Sequence, residues 1–157
     1  SDKGLALGAD VPVCLSSNSQ RMQGIGDILT PIEFLPKLAA ILINTGDGVS
    51  TQDIFHLLKN KNNKSIGKLP LNKMDFMGSI QYLRWLRNDL QEPVNKLLPS
   101  VQIVINSLDG YGSSLSRMSG SGGTCFGLFK DFSEACKVVK KLQEKNPSWW
   151  IKPVMLG

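Results

Sequence analysis

Between Arg117 and Phe129 the chain reads Arg-Met-Ser-Gly-Ser-Gly-Gly-Thr-Cys-Phe-Gly-Leu-Phe, and any fold must accommodate that run. The residues predict a short strand, a glycine-serine loop, and a second strand that enters a core through Cys125, Phe126, Leu128 and Phe129. Gly120, Gly122 and Gly123 open backbone angles closed to other residues, so successive N–H groups can turn into one concavity. Such a concavity suits an anion, and the hydroxyls of Ser119, Ser121 and Thr124 are further donors. The same residues also suit a tight hairpin turn that binds nothing, and glycine content alone does not choose between the two.

The remainder of the chain supplies the layers around this hairpin. Residues 5–15 read as a turn followed by a β-rich run, with Asp10 where the loop meets the apolar segment. A carboxylate there is ordinarily a helix cap or turn residue. It also has the placement of a general base, half-desolvated and aimed at a hydroxyl. Residues 21–30 read as two short strands around a glycine turn, resembling the tail of a larger sheet. Pro31 and Pro36 bracket a crossing point. Leu38 to Ile43 is a fully buried strand by composition. Ser50 is expected to cap a helix over 51–59 with Ile54, Leu57 and Leu58 inward and Phe55 on an adjacent face. A second helix is expected over 79–87. Residues 88–93 break it and start a third, in which Val94, Leu97, Leu98, Val101, Ile105 and Leu108 repeat at helical spacing as far as Gly110. Asp131 and Glu134 open the last helix, and residues 149–155 close as a strand. The resulting order, β-α-α-α-β-β-α-β, is that of an α+β ferredoxin-like sandwich with added helical material after its first strand.

Composition narrows the function classes. Eighteen basic against thirteen acidic side chains give a formal charge of +5, which fits nucleic acid or a small phosphorylated ligand. Residues 59–68 carry several of the lysines but no aromatic residue to stack a base. That stretch reads as a solvated, mobile loop, and nucleic acid is not expected as a partner. No apolar run approaches the ~20 residues of a membrane span, and Ser1-Asp2-Lys3 does not open like a signal or transit peptide. Cys14, Cys125 and Cys136 fit neither a disulfide framework nor a zinc site, which points to a reducing, cytoplasmic compartment. His56, the single histidine, reads as inert.

Three segments together carry a resemblance: Leu7-Gly8-Ala9-Asp10-Val11-Pro12-Val13, Asn88-Asp89-Leu90-Gln91-Glu92-Pro93-Val94, and Arg117 to Cys125. In this order and spacing the chain resembles the C-terminal half of a GHMP-superfamily small-molecule kinase. Within that superfamily it is most similar to the kinases acting on a cytidine-diphosphate-linked sugar alcohol of the non-mevalonate isoprenoid pathway. Residues 24–31 and 49–55 share the likeness. The resemblance implies ATP as co-substrate, with Mg2+ accompanying it although no metal ligands are identifiable here. It implies that Asp10 takes the proton from the acceptor hydroxyl. Thr51 and Phe55 match positions that hold the cytidine portion, Phe55 by stacking. Ser119, Gly120, Ser121, Gly122 and Gly123 match the motif beside the nucleotide phosphates. Without the resemblance, Phe55 reads as a plain core aromatic.

The resemblance also implies a division, with residues 1–36 the last piece of the family's N-terminal domain and residues 37–157 its C-terminal domain. The N-terminal half's own phosphate loop, its lysine near the substrate and its metal-binding side chains have no counterpart in this sequence. These residues are therefore expected to need that half as a partner and to transfer no phosphate unaided. Gln23 stands where relatives commonly carry an acidic residue. The other readings are a kinase of the same superfamily for homoserine or a mevalonate-pathway intermediate, and a ferredoxin-like ligand-binding module without catalysis.

Overall fold

A computed structural model describes residues 11–16, 18–48, 50–60 and 63–157. Its elements in chain order are α1 (Val11–Ser16), β1 (Gln20–Gln23), β2 (Ile28–Pro31), β3 (Leu38–Asn44), α2 (Thr51–Leu57) and α3 (Phe76–Trp85). They continue with α4 (Gln91–Leu97), α5 (Ser100–Gly110), β4 (Leu115–Met118), β5 (Thr124–Phe129), α6 (Phe132–Lys145) and β6 (Trp150–Leu156).

β1 and β2 form a two-stranded antiparallel sheet of their own, as the sequence leads one to expect. The main sheet has four strands in the order β4-β5-β3-β6, every neighbouring pair antiparallel. The first and last strands thus lie side by side with the hairpin on one flank, which is the ferredoxin-like arrangement. β3 pairs on both edges, Ala39 opposite Phe129 and Leu38 opposite Leu156.

Both faces of this sheet are covered, which is why β3 is apolar throughout rather than alternating. On one face Ile41, Ile43, Cys125, Phe129 and Ile151 pack with Val101, Val104, Ile105 and Leu108 of α5 and Ala135, Val138 and Leu142 of α6. Ile54 of α2 and Val94 of α4 extend that cluster. On the other face Leu38, Ala40 and Leu128 meet Ile80 of α3, with Phe76, Leu83, Leu115, Phe126 and Val154 around them. Gly127 in β5 leaves room for Leu108 of α5 and for Ser113: a Cβ there would stand 2.9 Å from both Leu108 Cδ2 and Ser113 Oγ. Phe34 joins the preceding segment to α3 by edge-to-face packing on Tyr82, with 5.2 Å between centroids.

Four local expectations are corrected. Val11–Ser16 is helix, not strand. Val-Pro-Val looks β-like, yet proline's missing N–H costs nothing in a first helical turn, where no intrahelical acceptor exists. The single helix expected from residues 88–93 to Gly110 is two, α4 and α5. Leu98, which precedes Pro99, leaves the helical region (φ −134°, ψ 79°) because the proline ring crowds it. α3 begins at Phe76, earlier than its apolar spacing suggests, because the Asp75 carboxylate accepts from the Gly78 N–H at 2.7 Å. Ser50 stands at the head of α2 but makes no side-chain cap bond. Asp131 does cap α6, accepting from the Glu134 N–H at 2.8 Å.

Candidate active site

The glycine-serine loop joins β4 to β5 with Gly120, Gly122 and Gly123 all at positive φ (54°, 111° and 74°). Two of its N–H groups are used internally, Ser119 donating to the Thr124 carbonyl (2.9 Å) and Gly122 to the Ser119 carbonyl (3.1 Å). Those of Gly120, Ser121 and Gly123 donate to no described residue. The loop rests on α4: a Cβ on Gly122 would lie 3.0 Å from Met118 Sδ and 3.2 Å from Val94 Cγ1.

A turn just before α4 holds this loop from beneath. Asn88 Nδ2 donates to the Met118 carbonyl (3.1 Å) and to the Gly120 carbonyl (2.9 Å), while its Oδ1 accepts from the Leu90 N–H (3.0 Å). Gln91 Oε1 accepts from the Met118 N–H at 3.1 Å. Beside them Arg87 Nε donates to Asp89 Oδ1 (2.6 Å), and Asn63 Nδ2 to Asp89 Oδ2 (2.8 Å).

α2 closes the other wall. Thr51 Oγ1 and Ser121 Oγ share a hydrogen bond of 3.0 Å, joining the helix to the loop. One turn on, Phe55 is 51% exposed, so it is no core aromatic; Ile54 beside it is fully buried and takes that part. Thr51, Phe55, Asn88, Asp89, Gly120 and Ser121 line a single open cleft of about 400 Å³. Thr51 and Phe55 therefore share one space with Gly120 and Ser121 of the predicted loop, whereas Ser119, Gly122 and Gly123 do not line it. Asp10, the predicted base, lies outside the described residues.

The neighbouring charges are mostly engaged. Hydrogen bonding from Ser100, and then from Thr45, holds the exposed Asp47 carboxylate below its ordinary value. Partial burial pulls the Arg117 guanidinium down, and its Nη2 donates to the Arg84 carbonyl at 3.1 Å. Burial pushes the Cys125 thiol up to about 11, so at neutral pH it is no nucleophile. Cys14 is exposed and Cys136 partly so, and none of the three is in a disulfide. The basic stretch is solvent-exposed where described, but its backbone is tied down: Arg21 Nη1 donates to the Gly67 carbonyl and Arg87 Nη2 to the Lys64 carbonyl. Among the described residues no group of three or more His, Cys, Asp and Glu side chains can hold a metal ion. Nor is any described helix long and apolar enough to cross a membrane.

Sequence reasoning gave Asn88 and Gln91 no role, although they lie in one of the segments that carry the resemblance. The signal was present but had another explanation: a polar run ending in Pro93 reads as a helix boundary, and it is one.

The family model described as GHMP kinases C terminal matches residues 55–148, and the chain belongs to that family. Its relatives include the 4-diphosphocytidyl-2-C-methyl-D-erythritol kinases of Roseobacter denitrificans and Paracoccus denitrificans. The first is 41% identical over 154 residues, covering 98% of this chain and 52% of the relative. The second is 42% identical over 146 residues, covering 93% and 54%. The chain spans about half the length of the curated relatives it matches. A crystal structure of 4-(cytidine 5'-diphospho)-2C-methyl-D-erythritol kinase shares the fold, with TM-score 0.74 at 23% identity over 98% of this chain and 55% of that one. Homoserine kinase from Cytophaga hutchinsonii shares it with TM-score 0.64 at 17% identity, over 94% and 50%.

Proposed function

We propose that this chain is the C-terminal half of an ATP-dependent kinase that phosphorylates the hydroxyl of 4-diphosphocytidyl-2-C-methyl-D-erythritol. The observation that carries the reading is the shared cleft: Thr51 and Phe55 stand across from Gly120 and Ser121, in a chain whose relatives bear that kinase's name. In this reading the exposed face of Phe55 stacks on the cytosine ring and Thr51 holds the same end of the substrate. The N–H groups of Gly120, Ser121 and Gly123 face the nucleotide phosphates. Fixed dipoles of this kind stabilise charge on a transferring phosphoryl group without reorganising during the reaction. Asp10 accepts the proton of the attacking hydroxyl, leaving an oxygen able to displace ADP from the γ-phosphorus.

Residues 1–36 complete the N-terminal domain in this scheme and residues 37–157 form the C-terminal one. The N-terminal half is the required partner, and the enzyme works in the cytoplasm without membrane or nucleic acid. The Mg2+ expected with ATP has no ligand set among the described residues, and no step here is assigned to it.

The test is phosphoryl transfer in the full-length protein, followed by mass spectrometry of the cytidyl product. Asp10→Asn should lower kcat by at least about a hundredfold with folding unchanged. A variant as active as the parent would overturn the assignment. So would full activity in these 157 residues alone.

A further inference from the structure

The cleft's loop is held by Asn88, which lines the cleft beside Gly120 and Ser121, and by Gln91 behind it. The Asn88 side chain spends all three of its hydrogen bonds on backbone: two loop-side carbonyls and the entry to α4. The carbonyl of Met118 precedes Ser119 and that of Gly120 precedes Ser121, so a single amide grips the loop before and within its first turn. Gln91 adds a second grip on Met118 from the next helical turn. Glycine backbones have no stiffness of their own. A loop with three glycines in its five residues holds one shape only if something outside it fixes that shape.

We propose that Asn88 is a positioning residue for the 119–123 loop, assisted by Gln91, and that it aims the unengaged N–H groups of Gly120, Ser121 and Gly123 at the nucleotide's phosphates. The inference rests on the kinase reading above, and it adds that nucleotide affinity is governed by an amide whose own hydrogen bonds are all made to backbone. The chemistry is directional. Asn88→Asp keeps the shape of the side chain and the acceptor for the Leu90 N–H, but turns an oxygen toward two carbonyl oxygens. The loop must then move away from the turn that carries Asn88, and the backbone shape that sets its donors is lost.

Two readouts separate this role from plain structural support. In the full-length protein, Asn88→Asp should raise the KM for ATP and lower kcat, each by at least about tenfold. The KM for the cytidyl substrate should stay within about twofold, because α2 keeps its own packing through Ile54. Gln91→Glu retains the acceptor for the Met118 N–H and should behave like the parent; Gln91→Leu removes it and should move the ATP constants in the same direction as Asn88→Asp. Should Asn88→Asp not fold, the Gln91 pair carries the same comparison.

The second readout needs no turnover: titration with pyrophosphate, followed by the amide resonances of Gly120, Ser121 and Gly123. These should shift in the parent protein, with the apparent Kd weakened at least about tenfold in Asn88→Asp. Unmoved amides in the parent, or equal Kd values in parent and variant, would overturn the inference. Parallel losses for ATP and the cytidyl substrate with a lowered melting temperature would do so too, by reducing Asn88 to a stability residue. Amides that respond to pyrophosphate in a protein that transfers no phosphate to the cytidyl alcohol would overturn the kinase reading and leave the positioning role standing.

Discussion

Ile54 and Phe55 are adjacent in one short helix and have opposite surroundings, the first fully buried and the second half exposed on the cleft. Replacing each with alanine should therefore separate stability from recognition. Ile54→Ala leaves a cavity in the main core and should cost about 2–5 kcal/mol in a urea melt. Phe55→Ala should change stability by only roughly 0.5 kcal/mol. In the full-length protein it should raise the KM for the cytidyl substrate about tenfold, as loss of one aromatic–base stack would. The ATP constant should hardly move. Composition cannot distinguish the two side chains, since both are large, apolar and near the start of the same turn. Only the resemblance marked Phe55 as different.

The helix ends show how a sequence signal becomes stability or fails to. Asp131 and Ser50 are both conventional caps by residue type, yet only Asp131 makes the bond. Asp131→Ala should lower stability by about 1 kcal/mol. Ser50→Ala should leave the thermal midpoint nearly where it was, and a midpoint lowered equally by both would contradict the geometry. The elements that could be read in advance were those with local causes: the β3 run, the glycine hairpin, the α6 cap and the closing strand. Those that could not were decided by neighbours. The break at Leu98 comes from a ring on the following residue, outweighing an apolar period that continues across it. The grip of Asn88 on the hairpin joins positions remote in sequence, and nothing local to either one announces it.

At the level of the whole molecule, the ferredoxin-like order was legible because alternating strand and helix signals leave few ways to close a sheet. That the sheet is covered on both faces was not stated by any one segment, though the unbroken apolar character of β3 implied it. Burial on that scale also ties stability to pH. An unfolded thiol ionises near about 8.5, whereas Cys125 in the folded chain does so at about 11. The folded state keeps its proton longer, so this group's contribution is intact below the unfolded value and is lost as pH rises through the folded one. Chemical unfolding of the parent and of Cys125→Ala should therefore differ less at high pH than at pH 7. A difference independent of pH would mean that the thiol ionises equally in both states.

β3 is one of the two inner strands of its sheet, and its partners are Phe129 and its neighbours on one edge and Leu156 and its neighbours on the other. A ribosome makes β3 well before either partner. At cellular elongation speeds the delay between Leu38 and Leu156 is on the order of ten seconds. Until β5 and β6 are made, this apolar, largely buried strand lacks the neighbours it pairs with in the finished sheet. Long-range pairing of this kind folds slowly once it can begin. The order in which the sheet can close is thus set by the chain's C-terminal strand, since β3 is fully paired only once β6 has been made.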